Sequence, residues 1–358
     1  MPPRRSANNQ LTHMDDSMQH SVTLSRQDIL CLLQRPVASL LKQARSLRNG
    51  IFGHKVIIRG IVEFSNHCVR DCRYCGLRKS NSHIKRYRLG MRDILQAVSS
   101  MQAQGVQTVV LQSGDDFFYT QDMLCRTIAA IKQRHPGMAV TLSIGERSYS
   151  DLHAFRCAGA DRYLLKHETI DKSLYTRLHP GQSLSKRLDL LCRLRELGYQ
   201  VGTGVITGLP GQTMEHLAQD LLFMQDFQPD MCSIGSFVPQ AQTPLAEQAP
   251  GRTDTALRVL AITRLITGNA HLPVTTALAS MLKRGYPAGL EAGANVIMLV
   301  YTPEAERALY TIYNGKGSRE YSLNDLKQDM SRAGYSLSLT RGDSLKPFAT
   351  KSACAAGV

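Results

Sequence analysis

Through most of its length this chain repeats one theme: an apolar, β-branched run, a polar or glycine-containing turn, then a helical pattern. Such a chain has few ways to bury its apolar faces, and the alternation predicts parallel βα units with helices packed on a sheet. Candidate strands fall at 56–64, 108–112, 139–144, 162–165, 201–207, 231–234, 273–277 and 296–299. Helical patterns with apolar residues at i, i+3 and i+4 occupy 92–104, 121–133, 184–197, 214–226 and 255–266, and Gly105, Gly159 and Gly198 serve as helix stops. Eight candidate strands make the expected fold class α/β, a TIM-like (β/α)8 barrel with short terminal extensions.

The barrel is expected over 51–315, with a helical extension at 21–50 packed against its outside or its bottom. Residues 1–20 carry Arg4, Arg5, Asp15 and Asp16 with few apolar anchors, which predicts a disordered tail. Residues 316–358 read as a C-terminal extension; from Gly334 on a mobile tail is expected, because the apolar period fades after Leu339 and the chain ends in small residues.

Composition narrows the function classes. At 358 residues the chain suits one large barrel. No apolar run approaches the roughly 18 residues that span a bilayer, and residues 1–20 contain no apolar signal segment. A cytoplasmic protein without a membrane partner is expected. Of nine cysteines, three are clustered and six stand alone (Cys31, Cys125, Cys157, Cys192, Cys232 and Cys354), which fits plain thiols in a reducing compartment. The formal charge of +14 is spread over the predicted helices and tryptophan is absent, so a solvated basic surface is expected rather than a nucleic-acid partner.

The clustered cysteines are Cys68, Cys72 and Cys75, at C-x3-C-x2-C spacing with Tyr74 before the last. So short a loop can wrap three soft thiolates around one face of an iron-sulfur cubane and leave the fourth iron open for chemistry. The competing reading is a structural zinc loop completed by His67 or His83, but such sites usually add a second paired knuckle, and none is present. In a barrel the polar residues at the carboxyl ends of the strands share one mouth. There the chain carries Ser65 and Asn66, then Gln112-Ser113-Gly114-Asp115-Asp116, Gly145-Glu146, Lys166-His167-Glu168-Thr169, and the turn Gly208-Leu209-Pro210-Gly211-Gln212-Thr213. Glycines in that turn are expected to let backbone approach a flat ligand.

The cysteine motif is similar to the signature of the radical S-adenosylmethionine (SAM) enzymes. That resemblance implies one [4Fe-4S] cluster on Cys68, Cys72 and Cys75, SAM bound at the open iron, and reductive cleavage of SAM to a 5'-deoxyadenosyl radical. Within the superfamily, Glu63-Phe64-Ser65-Asn66, Cys75-Gly76-Leu77-Arg78, Leu111-Gln112-Ser113-Gly114, Lys166-His167-Glu168-Thr169, Thr275-Thr276-Ala277 and Gly293-Ala294-Asn295-Val296-Ile297-Met298 resemble the HydE family of [FeFe]-hydrogenase maturases. Methylornithine synthase and biotin synthase are the related alternatives, and a cluster scaffold or carrier is the alternative of another class.

By that resemblance, Tyr74, Gln112, Ser113, Glu168 and Arg187 are SAM contacts. A carboxylate and a guanidinium suit a ligand that carries a sulfonium and an amino acid. Arg162, Lys166, Thr275, Thr276, Met298, Tyr310 and Tyr313 align with the substrate cavity and suit a polar, anionic small molecule. The resemblance implies a cysteine-derived iron carbonyl cyanide species as substrate, an electron donor, and other hydrogenase maturation proteins as partners. Two departures stand out: Lys166 and Gln242 replace the arginine and the acidic residue expected there. A third is that residues 316–330 contain no cysteine, so no auxiliary cluster is expected.

Overall fold

The computed structural model describes residues 21–282, 284–316 and 321–347. Its centre is β1 (Lys55–Ser65), in which every residue after Lys55 is buried. It pairs in parallel with β2 (Thr108–Ser113) on one edge and β7 (Val296–Val300) on the other. From β2 the sheet continues through β3 (Ala139–Ser143), β4 (Arg162–Leu164), β5 (Gln200–Thr207) and β6 (Met231–Ser236), all parallel. The spatial order is β6-β5-β4-β3-β2-β1-β7. Strands covered on both faces read as continuous apolar runs, which is how Val56, Ile57, Ile58, Ile61 and Val62 come to be buried together.

The wall between β6 and β7 differs from expectation. The run at 273–277 is no strand; the chain here makes single parallel bridges, His271 to Met231 just before the run and Pro273 to Val296 at its start. Pro273 has no N–H to give a ladder, and Thr275 turns the chain by capping the helix Thr276–Met281 through the Leu278 N–H. Seven strands and this bridging segment therefore ring the interior.

The five expected helices are present at Met91–Ala103, Gln121–Arg134, Leu184–Glu196, Met214–Phe227 and Thr253–Thr267. Ser, Thr or Asp caps also start shorter helices at Tyr149–Cys157 and Lys172–Leu178, which are too brief for a period to show. The amino-terminal extension is two helices, Arg26–Gln34 and Val37–Phe52, broken at Pro36 and packed outside the barrel against Met214–Phe227 and Thr253–Thr267.

Through residue 347 the carboxyl-terminal segment is built into the fold rather than a mobile tail. After the helix Leu323–Arg332 the short β8 (Ser336–Ser338) pairs with the start of β1. Arg341 and Asp343 then cross the amino ends of the strands, where Arg341 O accepts from Thr108 Oγ1 (2.7 Å) and Arg162 Nη2 (2.7 Å). Asp343 Oδ1 pairs with Arg162 at 2.6 Å. Backbone pairing and buried charge, not apolar period, hold this plug, so the sequence pattern does not announce it. The expected tail at 1–20 and the last residues from 348 on lie outside the described residues, as does part of the extension at 317–320. Among the described residues no helix is long and apolar enough to cross a membrane.

Candidate active site

At the carboxyl end of β1 the chain leaves the sheet in a loop held by named polar side chains. Asn66, buried, donates from Nδ2 to Lys85 O (2.8 Å) and Leu309 O (2.9 Å), and its Oδ1 accepts from Tyr87 N (2.7 Å). The Arg86 guanidinium donates to the carbonyls of Asn66, Leu77, Arg78 and Asn81, so one cation gathers both ends of the cysteine loop. Asp71 accepts from Arg78 and Ser80 within the same loop.

Cys68, Cys72 and Cys75 all face one cavity of about 360 Å3. The Cys68 sulfur accepts from Arg70 N at 3.4 Å and the Cys72 sulfur from Gln182 Nε2 at 3.3 Å. Burial pushes the Cys72 thiol up to about 12 and raises Cys75 further, with the neighbouring sulfurs adding to the rise. Three half-buried thiols that resist ionisation together are stabilised as thiolates by a compensating cation, and a soft metal meets that need. Among the described residues no three Cys, His, Asp or Glu side chains converge as a single-ion site requires. A cubane attaches each thiolate to a different iron, so the geometry suits a cluster better than zinc.

The same cavity is lined by Lys166, Glu168 and Arg187. Glu168 sits in left-handed conformation at φ 65°, rare for a residue with a side chain. Its backbone is clamped on β5 by Glu168 N to Gly204 O (2.9 Å) and Ile206 N to Glu168 O (3.1 Å). Strain held this way beside a cavity is characteristic of functional positions. Its carboxylate is 2.8 Å from Lys166 Nζ. Arg187 donates to Glu146 (2.9 Å), Lys166 O (2.9 Å) and Gln182 Oε1 (3.1 Å). Burial works against its charge, but Tyr175, Glu146, Asp115 and Glu168 outweigh that and hold the guanidinium above its ordinary range. Arg70 bridges Asp115 (2.7 Å) and Glu146 (3.1 Å), so alternating charges run from the cysteine loop to Arg187.

Gln112, Ser113, Thr275, Thr276, Met298, Tyr310 and Tyr313 line the same cavity, with Tyr74 near the cysteines. Tyr313 OH and Thr276 Oγ1 are 2.7 Å apart, and Gln112 Nε2 donates to Tyr310 OH at 3.2 Å. Tyr74 OH meets His179 Nε2 at 2.9 Å; because His179 Nδ1 faces Tyr175 O at 3.1 Å, the ring is protonated there and accepts from Tyr74.

Two expectations do not hold. Arg162 is absent from the cavity: it opens β4, and its partners Thr108 and Gln200 open β2 and β5, which places it at the far end of the barrel against the plug. The glycine turn at 208–213 does not meet the cavity either. A β-carbon at Gly208 would stand 2.3 Å from Gly251 Cα, so the glycine serves backbone packing.

Sequence reasoning missed Glu63 and Lys316, an ion pair at 2.5 Å on the cavity wall with Thr302 Oγ1 beside it at 3.4 Å. Burial raises Glu63 while Lys316 draws it back. A carboxylate inside the apolar run of β1 was the available signal, but its partner lies near the other end of the barrel segment. Gln182, Arg86 and His179 carried no local signal.

A family model described as the radical SAM superfamily matches residues 62–224. The chain is 42% identical over 278 residues to the [FeFe] hydrogenase maturase subunit HydE of Thermotoga maritima, an alignment covering 78% of this chain and 79% of that protein. It is 28% identical over 335 residues to 3-methylornithine synthase of Methanosarcina acetivorans, covering 92% and 94%. A crystal structure of methylornithine synthase superposes with a TM-score of 0.80 at 24% identity, covering 90% of this chain and 96% of that one, which speaks to the fold. Membership implies a [4Fe-4S] cluster and SAM, and the thiol-lined cavity fits both. The chain is an enzyme of the radical SAM superfamily and belongs with the HydE maturases, in the branch that also holds methylornithine and biotin synthases.

Proposed function

We propose that this enzyme acts as a HydE-type maturase in assembly of the di-iron subcluster of [FeFe]-hydrogenase, with one [4Fe-4S] cluster on Cys68, Cys72 and Cys75 and no auxiliary cluster. The observation that carries the reading is the 42% identity to a HydE subunit over most of both chains. When bound and reduced, the cluster supplies the electron that cleaves SAM to a 5'-deoxyadenosyl radical.

The chain's own residues bind, orient and exclude. Glu168 and Arg187 present opposite charges to the amino and carboxylate groups of SAM, and the backbone around Tyr74 meets its adenine. Arg187 is prepositioned by Glu146, so it loses little freedom when a ligand arrives. Farther from the thiols, Lys166, Thr275, Thr276, Tyr313 and Lys316 suit a small anionic substrate, held by cations and oriented by hydroxyls. Met298, Tyr310 and Ile61 supply the apolar lining that keeps water from a reactive radical. The substrate in this reading is a sulfur-containing, cysteine-derived iron carbonyl cyanide species.

The test is anaerobic reconstitution followed by assembly of apo-hydrogenase with the other maturation proteins, with and without this enzyme. Hydrogenase activation that requires the enzyme and SAM supports the maturase. SAM cleavage with no activation overturns it. The methylornithine synthase reading is favoured by one observation, the longer alignment over 92% of this chain. Formation of 3-methylornithine by the reconstituted enzyme would select it.

A further inference from the structure

Gln182 occupies the junction between the helix Lys172–Leu178 and the helix Leu184–Glu196, one residue before the Ser183 cap. A backbone hydrogen bond from Gln182 N to His179 O (3.1 Å) fixes its position. Its side chain spans two parts of the site. Oε1 accepts from Arg187 Nη2 at 3.1 Å and Nε2 donates to the Cys72 sulfur at 3.3 Å. The amide orientation is not arbitrary: a guanidinium can only donate, so the oxygen must face Arg187 and the NH2 must face the sulfur. Arg187 is itself locked by Glu146 and by Lys166 O, which leaves the amide one orientation.

We propose that Gln182 is a positioning residue that tunes the cluster's reduction potential by donating a side-chain N–H to the Cys72 thiolate, and that it ties this bond to Arg187. The proposal rests on the cluster placement proposed above and adds to it. Reduction adds one electron to a cluster whose sulfurs already carry negative charge, so a donor aimed at a sulfur favours the reduced form and raises the potential. Arg187 strengthens the donor, because a cation on the amide oxygen polarises the N–H on the other side. Among the described residues, Gln182 is the one side chain that donates to any of the three cluster-loop sulfurs; the bond to Cys68 comes from backbone. Arg187 lines the same cavity and is a SAM contact in the reading proposed above, so one amide would link the cosubstrate's place to a ligand of the cluster that reduces it.

Two variants separate the donor from the space it fills. Gln182→Met keeps the length and loses the N–H. Gln182→Glu keeps the shape and the Arg187 partner but turns an oxygen toward the sulfur. Titrated spectroelectrochemically after reconstitution, the potentials should fall in the order wild type, Gln182→Met, Gln182→Glu, with iron content per chain equal in all three. A merely structural role would lower thermal stability or iron content and leave the potential of the loaded fraction unchanged.

A measurement on the unaltered chain removes dependence on the variants' folding. Protein made by cell-free synthesis with side-chain 15N-glutamine should show a 15N coupling in the pulsed EPR spectrum of its reduced cluster. Equal potentials in loaded variants, or no 15N coupling in the wild type, overturns the proposal while the cluster reading stands. A wild-type chain that takes up no four-iron cluster fails the cluster reading instead.

Discussion

Gly114 packs against Cys68 with no room for a side chain between them: a β-carbon at Gly114 would stand 2.6 Å from Cys68 Cβ and 2.4 Å from the His67 carbonyl oxygen. The loop after β2 is thereby a template for the start of the cysteine loop. Gly114→Ala should push Cys68 out of register with the other two thiols. Overpacking of this kind costs about 1–3 kcal/mol, so the barrel should survive while iron uptake falls. Iron content and a thermal melt on the same sample check it; full iron loading in the variant would show that the loop adapts.

Cys72→Ser should abolish the cluster and SAM cleavage, because a serine hydroxyl is a poor ligand for iron in this setting. The wild-type chain should hold about four irons after desalting, as one cubane requires. Six or more irons with a second spectroscopic signal would reveal an auxiliary centre.

The left-handed backbone at Glu168 separates strain from function. Glu168→Ala and Glu168→Gly both remove the carboxylate and should weaken SAM binding by about 1–3 kcal/mol. Glycine alone tolerates φ 65° without cost, so the Gly variant should be more stable than the Ala variant by about 1 kcal/mol. SAM titration and chemical denaturation together check the pair. Equal stabilities would mean that the backbone relaxes in the Ala variant.

Acid should destabilise the metal-free chain. Burial lowers His167 and His271 to about 3 and His179 to about 4. A histidine whose folded value is depressed contributes stability that is present above its unfolded value of roughly 6.5 and is lost as pH falls toward the folded value. Asp220, raised by burial to about 7, works in the opposite direction, since its protonated form is favoured in the fold. Glu63, also raised by burial, works the same way as Asp220, but three histidines outnumber the two carboxyls, so stability should fall between pH 7 and 5.5. Denaturation midpoints across that range check the sign.

Asp343 is the counterion of buried Arg162 and also accepts from Arg341 and Gln200. Asp343→Ala should cost about 1–3 kcal/mol, below the figure for a fully buried pair because Asp343 is partly exposed. Iron loading should remain intact, since the plug lies at the opposite end of the strands from the cysteines. A thermal melt and iron analysis check both halves.

The sequence alone determined what neighbours along the chain can encode. The apolar runs of β1, β2, β3 and β5 and the periods of five helices are local patterns, and each lies within a residue or two of its place. Covalent spacing did the same for Cys68, Cys72 and Cys75, because three thiols in one short loop must share one end of a strand. The tertiary structure decided whatever depends on which strand lies beside which. Arg162 looked like a cavity cation, yet a strand has two ends, and only its pairing with Asp343, 181 residues away, says which end it occupies. The bond from Gln182 to Cys72 spans 110 residues, and the Glu63–Lys316 pair joins the first strand to a segment beyond the last barrel strand. Such contacts are fixed by sheet order and by the curvature that closes the ring, and no local pattern records them.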